Sequence, residues 1–212
     1  MLDYLRDPAE IYRRSFAAIR TSCDLSTIPA SLHPLALRLV HACGMPDIIA
    51  DLRFSPDAAD AGHYALEAGA SIFCDARMVA EGVIRNRLPR GNAPVVMTDA
   101  PSAAARAKRE ATTVSAAGMA LHRDVVAGSI VAIGNAPTAL FRLLEEIDAG
   151  APRPALILGF PVGFIGAAES KAELARDPRG VAFVTLLGRR GGSALAAAAI
   201  NALGGNPEDD RP

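Results

Sequence analysis

The sequence predicts an α/β doubly wound fold, a five-stranded parallel sheet with helices on both faces and an N-terminal helical segment in front. Two observations carry this. First, five short apolar runs, Ser71 to Cys74, Pro94 to Thr98, Ser129 to Ile133, Ala155 to Leu158 and Val181 to Leu187, are bounded by turn residues and separated by helix-like sequence. Second, hydrophobicity within each run is continuous rather than alternating, so both faces of each strand are covered, as in a parallel sheet wrapped by helices. At 212 residues and 50% hydrophobic, the chain has the length and apolar content of one domain. Its expected layout is a helical segment 1–68 packed on an α/β core 69–204, with 205–212 as a disordered tail.

The segment from Asp3 to Ala68 reads as helical. Asp7-Pro8 opens a first helix in which Ile11, Phe16 and Ile19 recur at helix spacing, and proline suits a first-turn position. A second helix is bracketed by Ser31 and Pro34 at its start and by Gly44 at its stop. A third covers Pro56 to Ala68. In the core, each strand ends in polar or glycine-rich sequence: Asp75, Asp99, Gly134 to Thr138, Gly159 to Gly163, and Gly188 to Ser193. In a parallel sheet these loops emerge together at the carboxyl edge, where open α/β folds place their ligands.

Composition excludes some functions. With 22 basic against 23 acidic side chains, no cation surplus exists to displace counterions from nucleic acid. The basic charge is 20 Arg and only two Lys, Lys108 and Lys171; composition bias and anion recognition by guanidinium both account for that. The first residues carry Asp3, Arg6, Asp7 and Glu10 where a signal peptide needs an apolar core, and no apolar run reaches the roughly 18 residues of a membrane span. Three widely separated cysteines, Cys23, Cys43 and Cys74, without a C-x-x-C pair suit reduced thiols and a cytoplasmic location.

Among candidate sites, Gly188 to Ser193 carries three glycines and two arginines ahead of helical sequence. It admits a nucleotide phosphate, another anion such as a carboxylate, or a plain structural turn; the P-loop pattern is missing. Asp75-Ala76-Arg77, after the first strand, lacks the hydroxyls and glycines of a flavin phosphate site. The histidines, His33, His41, His63 and His122, show no metal-ligand spacing, so no metal site is expected. His41 lies in the last turn of the helix ended by Gly44, where the negative end of the helix dipole favours imidazolium and hence proton donation. A histidine that merely closes a helix end satisfies the same pattern. No nucleophile elbow occurs, and Glu145-Glu146 reads as a solvated helix end.

Six segments in order resemble the precorrin-8X methylmutases of cobalamin biosynthesis: Tyr12 to Arg20, Val40 to Asp47, Cys74 to Val79, Gly134 to Leu140, Gly159 to Lys171, and Gly188 to Ser193. The resemblance implies a flavodoxin-like subunit and a homodimer with its active site near the subunit interface. It implies an isomerase that moves a methyl group from C-11 to C-12 of a corrinoid tetrapyrrole by a 1,5-sigmatropic shift, giving hydrogenobyrinate without a cofactor. His41 matches the family's catalytic histidine and Ser15 a serine that contacts substrate. Lys171, Arg189 and Arg190 are then candidates for the carboxylates on the substrate rim.

One departure stands out. The resemblance leads to an arginine where this chain has Val114, so either Arg109 or Arg123 compensates or the substrate preference differs. The alternatives are a cobalt-containing substrate, a corrinoid carrier without chemistry, and a nucleotide- or flavin-binding module.

Overall fold

The structure, a computed structural model, describes residues 2–205; all of the expected tail except Gly205 lies outside them. The described residues form an α/β fold with a mixed sheet of six strands: β1 (Leu52–Phe54), β2 (Ile72–Cys74), β3 (Pro94–Val96), β4 (Ile130–Ile133), β5 (Leu156–Gly159) and β6 (Ala182–Leu186). Their order is β1-β6-β5-β4-β2-β3. The five runs read from the sequence are β2 to β6, and every pairing among them is parallel.

The sixth strand corrects the expectation of five strands behind a purely helical segment. β1 pairs antiparallel with β6, Leu52 opposite Leu186 and Phe54 opposite Val184. It escapes a periodicity reading because three residues are too few to show alternation, and it follows directly on a 3₁₀ turn, Pro46–Asp51.

Helices cover both faces. On one lie α2 (His33–Cys43), α3 (Ala58–Glu67), α4 (Arg77–Glu81) and α9 (Ser193–Gly204); on the other α6 (Val114–Leu121), α7 (Pro137–Asp148) and α8 (Ala167–Arg176). The continuous strand hydrophobicity divides by alternation between the two layers. Ile130 and Ala132 of β4, with Leu156 and Leu158 of β5, join the α2/α9 core. Val131, Ile133 and Ile157 point the other way, to Leu140 and Leu144 of α7. Completing the set are α1 (Pro8–Ser22), which packs on α2, and the short α5 (Ala103–Arg109).

Local chemistry sets the helix ends that matter for the site. The Asp7 carboxylate accepts from Glu10 N at 2.8 Å and Pro8 opens α1. Gly44 ends α2 in the left-handed region, φ 70°, its N–H donating to Val40 O at 2.7 Å.

Candidate active site

His41 sits where the sequence placed it, in the last turn of α2, and its surroundings come from α1. Along one face of α1 run Tyr12, Ser15, Phe16 and Ile19, the i, i+3, i+4, i+7 stripe of an amphipathic helix. Phe16, 3% exposed, stacks on the His41 imidazole with centroids 4.9 Å apart and planes 21° apart. Tyr12 is tilted against both rings, 4.6 Å from Phe16 and 5.9 Å from His41. Arg38, one helical turn before His41, donates to the Tyr12 hydroxyl and lies over the Phe16 ring at 5.5 Å.

Ser15 and His41 line one groove of about 400 Å³ with Ile19, Val40 and Pro46. A second hollow of about 790 Å³ shares Ser22 and Pro46 with it and is lined by Asp24, Asp47 and Arg53. The two therefore adjoin.

The other expected residues are placed differently. Arg190 reaches back from the loop after β6 to the segment after His41, pairing with Asp47 and, at 2.7 Å, with Asp51. Those two carboxylates hold its guanidinium above its ordinary proton affinity, and Asp47 is lowered in turn. Leu187 N donates to Asp51 O at 2.9 Å, so His41 and the carboxyl edge of β6 belong to one end of the molecule. Lys171, expected at a substrate carboxylate, is fully buried, and its ammonium donates to Arg190 O. Burial lowers Lys171 to about 8, with Asp51 pulling it up. Arg189 is exposed, its guanidinium 5.3 Å from the centre of the Phe164 ring.

Val114 begins α6, part-exposed, beside the start of α7, to which Thr113 Oγ1 is bonded through Thr138 Oγ1 at 2.7 Å. Of the two arginines considered as substitutes for its missing charge, Arg123 pairs with the buried Glu146 at 3.0 Å, whereas Arg109 is 3.8 Å from Glu110 with its side chain largely exposed.

The reading of the strand-end loops missed one feature. Asp75, fully buried, accepts from the backbone N–H groups of Gly134 at 2.8 Å, Asn135 at 3.0 Å and Ala136 at 2.6 Å. Burial drives this carboxyl above the ordinary range, with the three N–H bonds opposing. These donors lie between β2 and β4, just before α7, where an anionic ligand would otherwise find them. The protein's own carboxylate occupies the position. Sequence signals it only as a polar residue after a strand; Tyr12, Phe16 and Arg38 are signalled by helical spacing on their own helices, with no indication that the two faces meet.

Among the described residues no cluster of three or more His, Cys, Asp or Glu is placed to hold a metal ion, and no helix is long and apolar enough to cross a membrane.

Fold and site together define an α/β protein with an open groove beside a helix-terminal histidine. The chain belongs to the precorrin-8X methylmutase family, whose model matches residues 10–205. It is 60% identical over 203 residues to the precorrin-8X methylmutase of Pseudomonas aeruginosa, covering 96% of this chain and 98% of that one. A cobalt-precorrin-8 methylmutase from Priestia megaterium is 36% identical over 198 residues, covering 92% and 87%. The crystal structure of precorrin-8x methyl mutase from Thermus thermophilus superposes with a TM-score of 0.84 at 40% identity, covering 92% of this chain and 94% of that one.

Proposed function

We propose that this chain is an isomerase of cobalamin biosynthesis that moves a methyl group of precorrin-8X from C-11 to C-12, giving hydrogenobyrinate. The observation that carries the reading is the placement of His41: in the last turn of α2, stacked on Phe16, and lining one groove with Ser15. A sigmatropic shift needs a macrocycle held in shape and a proton donor that polarises its conjugated system. His41, protonated, donates to a ring nitrogen or an adjacent carbon of the substrate. As electron density is drawn toward that proton, the bond from methyl to C-11 breaks while the bond to C-12 forms. The proton then returns, so substrate and product have equal mass. Ser15 contacts the ring beside His41.

On the rim, Arg189 is the exposed cation for a carboxylate. Lys171 and Arg190 serve the same site from behind, because their charges are engaged within the protein and shape the loop that presents Arg189. Val114 leaves an apolar contact at the start of α6. The 60% identity to a precorrin-8X enzyme, against 36% to a cobalt-precorrin-8 enzyme, favours the cobalt-free substrate.

The subunit reads as flavodoxin-like. The five parallel strands alone run β3-β2-β4-β5-β6, the second-first-third-fourth-fifth order of that architecture. A homodimer is supported by the loop after β5, where Phe164 is 83% and Ile165 91% exposed, an apolar pair that a second copy would cover. Three free thiols suit a cytoplasmic setting.

The test is incubation with precorrin-8X and, in parallel, with its cobalt form, following visible absorbance and product mass. The expected result is a spectral shift at constant mass, faster with the cobalt-free substrate. A mass change contradicts the reading, and binding without a product spectrum makes the protein a carrier.

A further inference from the structure

The His41 ring meets the aromatic face of α1. Its own helix stops three residues later at Gly44, and the His41 side chain lies on the exposed side of α2. Side chains of α1 pack against the ring. Phe16 stacks on it at 4.9 Å, and Phe16 is itself held by Tyr12 at 4.6 Å, one turn earlier on α1, and by Arg38 above its face. Arg38 returns the chain of contacts to α2 by donating to the Tyr12 hydroxyl, one turn from His41. Four side chains from two helices thus close a loop of contacts that ends on the imidazole.

The choice of Arg38 is informative. It is 7% exposed in a seam between helices, where an aliphatic residue would pack without the desolvation of a guanidinium. The geometry of its contacts suits a guanidinium. A planar cation with directed N–H groups fixes a hydroxyl and a ring face together, which a flexible apolar chain does not.

We infer that Arg38, Tyr12 and Phe16 are positioning residues for His41, setting the imidazole at the angle from which it meets the macrocycle. The inference rests on the proposed catalytic role of His41, and none of the three residues need touch the reacting atoms.

Arg38→Met, Tyr12→Phe and Phe16→Leu test it, with Phe16→Tyr as the conservative control. Misplacing a catalytic group by about 1 Å costs up to about 100-fold. The expected result is a kcat lower by about 10- to 100-fold in Arg38→Met and Phe16→Leu, and by a smaller factor in Tyr12→Phe, with KM within about twofold. Phe16→Tyr, which keeps the stacked ring, loses less kcat than Phe16→Leu. In the substrate-free protein, the NMR shifts of the His41 ring protons, set by the Phe16 ring current, move in Arg38→Met and Tyr12→Phe. Tyr12→Phe loses one half-buried hydroxyl, so it serves should Arg38→Met not fold. Unmoved ring shifts, or wild-type kcat in these variants alongside an inactive His41→Ala, overturn the inference. Moved shifts alongside a fully active His41→Ala uphold the positioning and overturn the catalytic reading of His41 instead.

Discussion

Two places at the carboxyl edge of the sheet look suited to an anionic or ring-shaped ligand, and the protein finishes them in opposite ways. Between β2 and β4, three convergent backbone N–H groups are filled by Asp75. Beside α1 and α2, the groove of Ser15 and His41 is left open, and charges around it are spent on shape: Arg190 on Asp47 and Asp51, Lys171 on a carbonyl. The first is the customary ligand position of a doubly wound sheet and here serves as a structural clasp. The second has no counterpart in the generic fold. It is built from α1, α2 and the turn that leads into β1, the strand on the β6 edge. The lesson is that a fold locates its common crevice, whereas the side chains decide whether that crevice is a site.

The comparison breaks first at Asp75. Asp75→Ala leaves the buried Gly134 N–H unanswered, at about 1–3 kcal/mol, and the less buried Asn135 and Ala136 N–H groups at a smaller cost each. The expected loss is about 2–4 kcal/mol, or roughly 4–16 °C in thermal midpoint, read by circular dichroism. The folded fraction should keep its turnover, because Asp75 does not line the groove of Ser15 and His41. Full retention of the midpoint would show that the clasp holds nothing. A smaller effect belongs to the loop behind the groove. In Gly191→Ala the new Cβ would overlap Phe160 O and lie 2.5 Å from Pro161 O, both backbone atoms. Overpacking of this kind costs about 1–3 kcal/mol, seen as a lower urea midpoint at unchanged m-value.

Lys171 sharpens the same contrast through pH. Its proton affinity is lowered by burial to about 8 in the folded protein, against an ordinary 10.5. Below pH 8 both states hold the proton, and the burial cost is present in full. Between about 8 and 10.5 the unfolded chain holds the proton and the native one does not, so stability rises with pH by up to about 1.4 kcal/mol per unit. Wild type should therefore gain on Lys171→Met across that window in paired unfolding curves; a constant difference would mean that Lys171 titrates normally. The smallest expected effect is none at all. Millimolar phosphate or FMN leaves the melting temperature unchanged, because the N–H groups suited to hold it are taken. A rise in midpoint would reveal binding to the native state and reopen the nucleotide reading.

Much of the fold was legible because burial on both faces of a strand leaves a continuous apolar run, and because Pro8, Pro34 and Gly44 mark helix ends by backbone chemistry. β1 was not, since Leu52–Phe54 is too short for periodicity and owes its conformation to pairing with β6. His41 could be read as a helix-end donor from its neighbours in sequence. Its partners could not, because which face of α1 meets which face of α2 is decided by tertiary packing. Lys171 shows the converse. Lysines are seldom fully buried, so composition favours an exposed cation, and only the fold reveals that this one secures a loop from inside. The arginine excess resolves in the same manner, with Arg123, Arg142, Arg179 and Arg190 engaged by carboxylates of the protein itself and Arg189 facing outward.

The central claim is that the open groove performs its chemistry through His41, and single-turnover conversion of precorrin-8X by wild type and His41→Ala tests it most directly. General acid catalysis contributes about 10²- to 10⁴-fold. The account predicts that His41→Ala binds the substrate with wild-type affinity and converts it slower by a factor in that range, with product mass equal to substrate mass. Conversion by His41→Ala at the wild-type rate would contradict it.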